Sequence, residues 1–174
     1  RVSVFATWYL SSKNSKGMSR LSFDRATLKD VKRIVIKVGS STITYGNGKR
    51  NFSRIDRLAR EIADLANQGK EIILVSSGAV AVGVDRLGLV AKPKTIPGKQ
   101  AAAAVGQGVL MHTYEKIFAE YGQIVAQVLL TRMDSVDRHR YTNSRNTFLA
   151  LLEHKVIPIV NENDVVAIDE LKIG

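Results

Sequence analysis

Apolar residues in this chain gather in short runs, separated by longer stretches in which they recur with helical period. IVIKV (34–38), EIILV (71–75), IVAQVLL (124–130) and VIPIV (156–160) are short, rich in β-branched residues, and bounded by polar or glycine-bearing segments. Those features predict four strands. Between the first two runs, Ile55, Leu58, Ile62 and Leu65 recur at helical spacing within 53–68. Ser53 is placed to cap that helix, and Gly69 comes after it where a glycine commonly ends one. After Ser76-Ser77-Gly78, AVAVGVDRLG reads as a helix of small residues. Pro93 and Pro97 punctuate a loop, and a long helix is expected over 99–121. Its first half, QAAAAVGQG, is small enough to let another backbone approach closely. A last helix is expected over 142–154, with Phe148, Leu149, Leu151 and Leu152 marking its buried side.

The strands are near-continuous apolar runs, the pattern of a parallel sheet covered on both faces. Strand–helix alternation then predicts a doubly wound α/β architecture. In such sheets, ligands bind beyond the carboxyl ends of the strands. Three polar clusters fall there: Gly39-Ser40-Ser41, Ser76-Ser77-Gly78, and Asn161-Glu162-Asn163-Asp164. Lys37 interrupts the first strand two residues before its cluster. Glycine lets backbone N–H groups crowd against a phosphate, the two serine hydroxyls add donors, and a lysine at the strand end can reach the same oxygens. Alone, Lys37 reads first as a buried stem with a solvated head.

Residues 1–17 differ in pattern from the rest of the chain, with an apolar run from Val2 to Leu10 and then a Ser/Lys/Asn/Gly tract. They are expected to be a leader or a flexible extension outside the fold, whether native to the protein or not, because the better-patterned sequence begins at Met18. The run is too short for a secretory signal and lacks its cleavage site. With 174 residues the chain can build one domain with a substantial core. There are no cysteines, so neither a disulfide framework nor a thiolate site is available, which suits a reducing cytoplasm. No apolar run approaches the ~20 residues that span a bilayer.

The net charge of +10 suggests polyanionic partners. Its distribution argues otherwise: residues 1–36 carry eight basic and two acidic side chains, and the other 138 carry 18 and 14. Nucleic acid is therefore not favoured as a partner. A P-loop is excluded, because Gly48-Lys49, Gly69-Lys70 and Gly98-Lys99 are preceded at the required distance by Ile43, Asp64 and Pro93 rather than glycine. A dinucleotide fingerprint is excluded as well, since Gly46-x-Gly48 and Gly106-x-Gly108 end at Asn51 and Met111.

Together, KRIVIKVGSS (32–41), ILVSSGAVAVG (73–83), KQAAAAVGQGVLM (99–111), QVLLTRMDSVDRHRYTNSRNT (127–147) and VIPIVNENDVVA (156–167) resemble the amino-acid kinase family, in particular its glutamate 5-kinase branch. The resemblance implies a three-layer αβα sandwich around a mainly parallel sheet. It also implies Mg2+-dependent transfer of the γ-phosphoryl of ATP to the side-chain carboxylate of L-glutamate, as the first step of proline synthesis in the cytoplasm. On matching positions, Lys37 resembles the lysine that touches the transferring phosphoryl, and Gly39, Ser40 and Ser41 the segment beside the phosphates. Ser77, Gly78 and Ala79 resemble the glutamate-binding turn, and Asp164, with Asn161, the group that holds the substrate ammonium. No metal ligand is assigned.

By the same resemblance, residues 18–174 correspond to the N-terminal, amino-acid-binding lobe, with most of the nucleotide site in later segments of the family's sequence. Alone, this polypeptide is expected to lack kinase activity. Proline as a feedback inhibitor and a homo-oligomer are also implied, with the charged stretch 131–147 as either a solvated loop and helix start or a subunit contact. Two alternatives stand beside this reading. One is a related kinase acting on acetylglutamate or aspartate, and the other is a non-catalytic basic module that binds nucleic acid. His112, His139 and His154 read as surface or helix residues, and an ionised carboxylate acceptor needs no general base.

Overall fold

The computed structural model describes residues 2–5, as backbone only, and 30–167. It is built on a five-stranded sheet with the order β1-β2-β3-β5-β4. The strands are β1 (Val2–Phe5), β2 (Arg33–Val38), β3 (Glu71–Val75), β4 (Val125–Leu130) and β5 (Ile157–Glu162). The last four run parallel, as expected of apolar runs joined by helices, and β1 pairs antiparallel with β2 at the edge. That edge strand departs from the expectation that residues 1–17 stand outside the fold. The alternating Val-Ser-Val-Phe is a serviceable strand, and β2 offers it an open ladder. Residues 6–17 lie outside the described residues.

The first core layer packs on one face of the sheet. Ile36, Val38, Ile72, Leu74, Ile157 and Ile159 point from alternate strand positions toward α2 (Phe52–Asn67) and α4 (Ile96–Glu120). Those helices contribute Ile55, Ala59 and Ile62, and Leu110, Tyr114 and Phe118. The opposite face is less completely covered. Val35, Ile73 and Val75 are only half-buried there, and α6 (Arg138–Glu153) lies against β5 on this side. Pro158 sits within an interior strand because the β3–β5 ladder begins one residue later, at Ile159, so its missing N–H interrupts no pairing.

At the amino end of the sheet, Glu71 accepts from Arg33 at 2.7 Å and pairs with Lys32 at 3.1 Å. Burial alone would raise its carboxyl; the two cations hold it below the usual carboxylate range.

Several boundaries differ from the sequence expectation. Asn51, not Ser53, caps α2, its side chain accepting from the Arg54 amide while its own amide bonds Ile43 O. α4 begins at Ile96, capped by Thr95, because proline is tolerated where a helix's first N–H groups lack partners anyway. The stretch 131–147 is helical through more of its length than expected, from Arg132 on. Thr131 and Asp134 form a capping box for the short α5 (Arg132–Val136), and Asp137 caps α6, which starts four residues before the expected position. The Thr131 hydroxyl and amide also hold the Asp134 carboxyl below its ordinary range. Among the described residues, no helix is long and apolar enough to cross a membrane.

α2, α4 and α6 each turn into the next strand through the same paired cap, with a left-handed residue at Gly69, Gly122 and Lys155. Lys155, at φ 58°, is the non-glycine among them. Lys155→Gly is expected to raise unfolding stability by roughly 0.5–1 kcal/mol, the left-handed strain of an L-residue less glycine's entropy. Urea denaturation of both chains measures this.

α3 (Ala79–Arg86) and α4 touch through their backbones. A Cβ on Gly83 would lie 1.7 Å from Ala102 O, and one on Gly106 would lie 1.8 Å from Ala79 O. Gly106→Ala is expected to destabilise by roughly 3 kcal/mol, at the upper end of ordinary overpacking because the obstacle is backbone. A midpoint unchanged in urea would contradict it.

Candidate active site

The carboxyl ends of β2, β3 and β5 open on a cavity of about 650 Å3. This is a size typical of small-molecule sites. β3 leaves the sheet through Ser76, whose amide bonds Val160 O at 2.8 Å. Gly78 then adopts φ 102° as the N-cap of α3 and lies so close to Ser40 that an added Cβ would come within 3.2 Å of that residue's Cβ. A side chain at position 78 would thus be both strained and crowded, so glycine alone lets the turns after β2 and β3 meet. The β2 turn is itself one helical turn, α1 (Ser40–Ile43). Its first amides have no intrahelical acceptor, nor do those at the start of α3.

Of the nine residues singled out from sequence, six line this cavity: Ser40, Ser77, Gly78, Ala79, Asn161 and Asp164. Lys37, Gly39 and Ser41 stand outside its wall. Lys37 is exposed and paired in register with Val75, on the sheet face opposite Ile36 and Val38. Asn161 is buried as the penultimate residue of β5, and Asp164 sits half-buried in the turn beyond it. His112, His139 and His154 are all exposed, as expected.

Other parts of the wall went unnoticed in the sequence. One is a hairpin between α1 and α2, in which Thr44 bridges Arg50 and the Tyr45 amide bonds Lys49 O at 2.8 Å. Its tip, Gly46-Asn47-Gly48, lines the cavity. Asn47-Gly48 is a turn signal that could have flagged it. The segment 88–92, including Lys92, forms a further side, and Asp85 reaches the wall from α3. The cavity therefore offers helix-start amides at one part of its wall and carboxylates, Asp85 and Asp164, at others. Lys92 adds one cation to the same wall. Among the described residues, no group of three His, Asp or Glu is placed to hold a metal ion.

Beneath this wall, Ser76 Oγ and the Tyr114 hydroxyl lie 2.9 Å apart. Burial pushes the Tyr114 phenol up from 10 to about 12, against a smaller opposing pull from Ser76. The unfolded chain therefore ionises this tyrosine first. Its stabilising contribution is complete below pH 10 and falls as pH rises toward 12, by roughly 2–3 kcal/mol. Tyr114→Phe is expected to cost about 1 kcal/mol at neutral pH and to flatten that alkaline decline. Urea unfolding of both chains between pH 8 and 11.5 gives the comparison.

The chain matches the amino acid kinase family over residues 32–174. It is 62% identical over 147 residues to the glutamate 5-kinase of Clostridium tetani, an alignment covering 84% of this chain and 55% of that protein. The glutamate 5-kinase of Clostridium acetobutylicum is 61% identical over the same shares of each chain. That of Moorella thermoacetica is 59% identical, over 86% of this chain and 40% of the relative. The chain thus spans about half the length of the relatives it matches. With a match over residues 32–174 and four parallel strands interleaved with helices, the chain belongs to the amino acid kinase family.

Proposed function

We propose that this chain supplies the amino-acid site of an ATP-dependent kinase that phosphorylates the γ-carboxylate of L-glutamate. The observation that carries this reading is the meeting of Ser77, Gly78, Ala79, Asn161 and Asp164 on one cavity, in a chain whose relatives are named glutamate 5-kinases. Glutamate's carboxylates would take hydrogen bonds from the Ser77 hydroxyl and the amides that open α3. Its α-ammonium would pair with Asp164, beside Asn161. The γ-carboxylate is ionised at neutral pH, with an ordinary pKa near ~4.3, so it attacks the γ-phosphorus of ATP without a general base, and the new acyl–phosphate bond forms as the bond to departing ADP breaks. What remains for the protein is in-line placement of two anions and neutralisation of charge on the transferring oxygens.

ATP supplies the phosphoryl group. The amides of Gly39, Ser40 and Ser41 and the Lys37 ammonium are the groups of this chain suited to its phosphates, since all lie at or just past the carboxyl end of β2. Mg2+ would be carried chiefly by the nucleotide's own oxygens. Asp164 also separates glutamate from acetylglutamate, whose acylated nitrogen is uncharged and would bring this carboxylate no cation. A nucleic-acid-binding module has no use for such a cavity. For the implied homo-oligomer, the exposed Met133, Val136 and Tyr141 on α5 and α6 are the supporting feature.

Calorimetric titration of L-glutamate into the chain is expected to show saturable binding, weakened at least tenfold by Asp164→Asn, because a charge-assisted bond is lost. Aspartate or acetylglutamate binding more tightly than glutamate would overturn the reading. In a full-length enzyme bearing this segment, Lys37→Ala is expected to lower turnover by about 10²–10³ with glutamate KM little changed. Near-normal turnover would return Lys37 to a solvent role.

A further inference from the structure

Three side chains of α4, at positions 100, 107 and 114, each bond a segment at the carboxyl end of the sheet. Gln100 Nε2 donates to Val165 O at 2.9 Å, in the turn that holds Asp164. Asn161 Nδ2 donates to Gln107 Oε1 at 2.5 Å. Tyr114 meets Ser76, immediately before Ser77. Seven residues fall only ~20° short of two full turns, so the three groups stack on one stripe of the helix. The neighbouring Gly106 is pressed against α3 and cannot slide, which fixes the height at which each polar group stands.

Gln107 is not in the cavity wall, but its partner is. Asn161 has two equivalent-looking ends, and a carboxamide at the end of a strand can present either to a ligand. In this geometry one Nδ2 hydrogen is committed to Gln107 Oε1, which leaves Oδ1 as the end that accepts from a ligand's N–H. We infer that Gln107 is a positioning residue: it sets Asn161 as a hydrogen-bond acceptor for the α-ammonium of the bound amino acid without touching that ligand itself. The inference rests on the amino-acid reading of the cavity proposed above. Gln100 acts alongside it by tethering the backbone just beyond Asp164.

The test compares the 174-residue chain with Gln107→Met and Gln107→Glu. Methionine keeps the length and helix preference of glutamine but removes the acceptor, whereas glutamate keeps an acceptor at the same reach. Nitrogen-15 spectra report the Asn161 side-chain amide, assigned by its loss in Asn161→Asp, and L-glutamate titrations report affinity. In Gln107→Met the two Asn161 Nδ2 hydrogens are expected to move toward the positions of a free amide, and glutamate affinity to fall about tenfold, the size of one misplaced hydrogen bond to a charged group. Gln107→Glu is expected to keep the hydrogens separated and recover most of that affinity. Unchanged Asn161 resonances in Gln107→Met overturn the inference, and so does altered resonance with affinity within twofold of the parent chain. If the parent binds no glutamate, the reading of the cavity fails, and the Asn161 resonances still decide whether Gln107 holds that side chain.

Discussion

The contact on which the rest of this structure depends is the one between the backbones of α3 and α4. Two helices ordinarily keep their axes 8–10 Å apart because side chains stand between them. Gly83 and Gly106 remove those side chains, and each helix rests its glycine against a carbonyl of the other. The gain is positional. α3 starts at the cavity and α4 passes beneath the strand ends, so a fixed distance between them fixes the floor of the site relative to its wall. A looser pairing would let the turn at Gly78 drift from Ser40 and from Asn161 together.

That contact also determines where the polar groups stand. β3 and β5 are neighbours in the sheet, and their ends deliver Ser76 and Asn161 to the same side of α4. Both are buried, so both need partners, and an unpaired polar group there would cost about 1–3 kcal/mol. α4 supplies those partners from a stripe that otherwise holds Ala103, Ala104, Leu110 and Met111. The same helix is therefore core on one side and scaffold for the site on another.

Much of this was legible in the sequence. The four parallel strands announced themselves as apolar runs, and segments that follow parallel strands all emerge at the carboxyl end of the sheet, so GSS, SSG and NEND were expected on one side of it. What stayed hidden has particular causes. Asn51 outcompetes Ser53 as a cap because its backbone is anchored to Ile43 O, a contact between segments that no local pattern records. The first turn of α6, RHRY, has no apolar period because it is exposed all round, so nothing marked it as helical. Gln107 carried no signal at all: one glutamine among small residues gains its meaning from Asn161, which lies 54 positions further along the chain. Lys37 drew notice as an odd residue in a strand, and it lies on the less covered face, where its exposure costs little.

The seven-residue spacing of Gln100, Gln107 and Tyr114 also bears on how this helix can change over evolutionary time. A substitution alters one rung and leaves the others in place. Inserting or deleting a single residue rotates everything beyond it by about 100°. Within 101–113 such a change would part Gln100 from Tyr114 on the helix surface, and it would throw Gly106 or its neighbours off the α3 contact. α4 should thus accept exchanges of side chain far more readily than changes of length, and among relatives its 25 residues should be the ruler against which loops on either side vary.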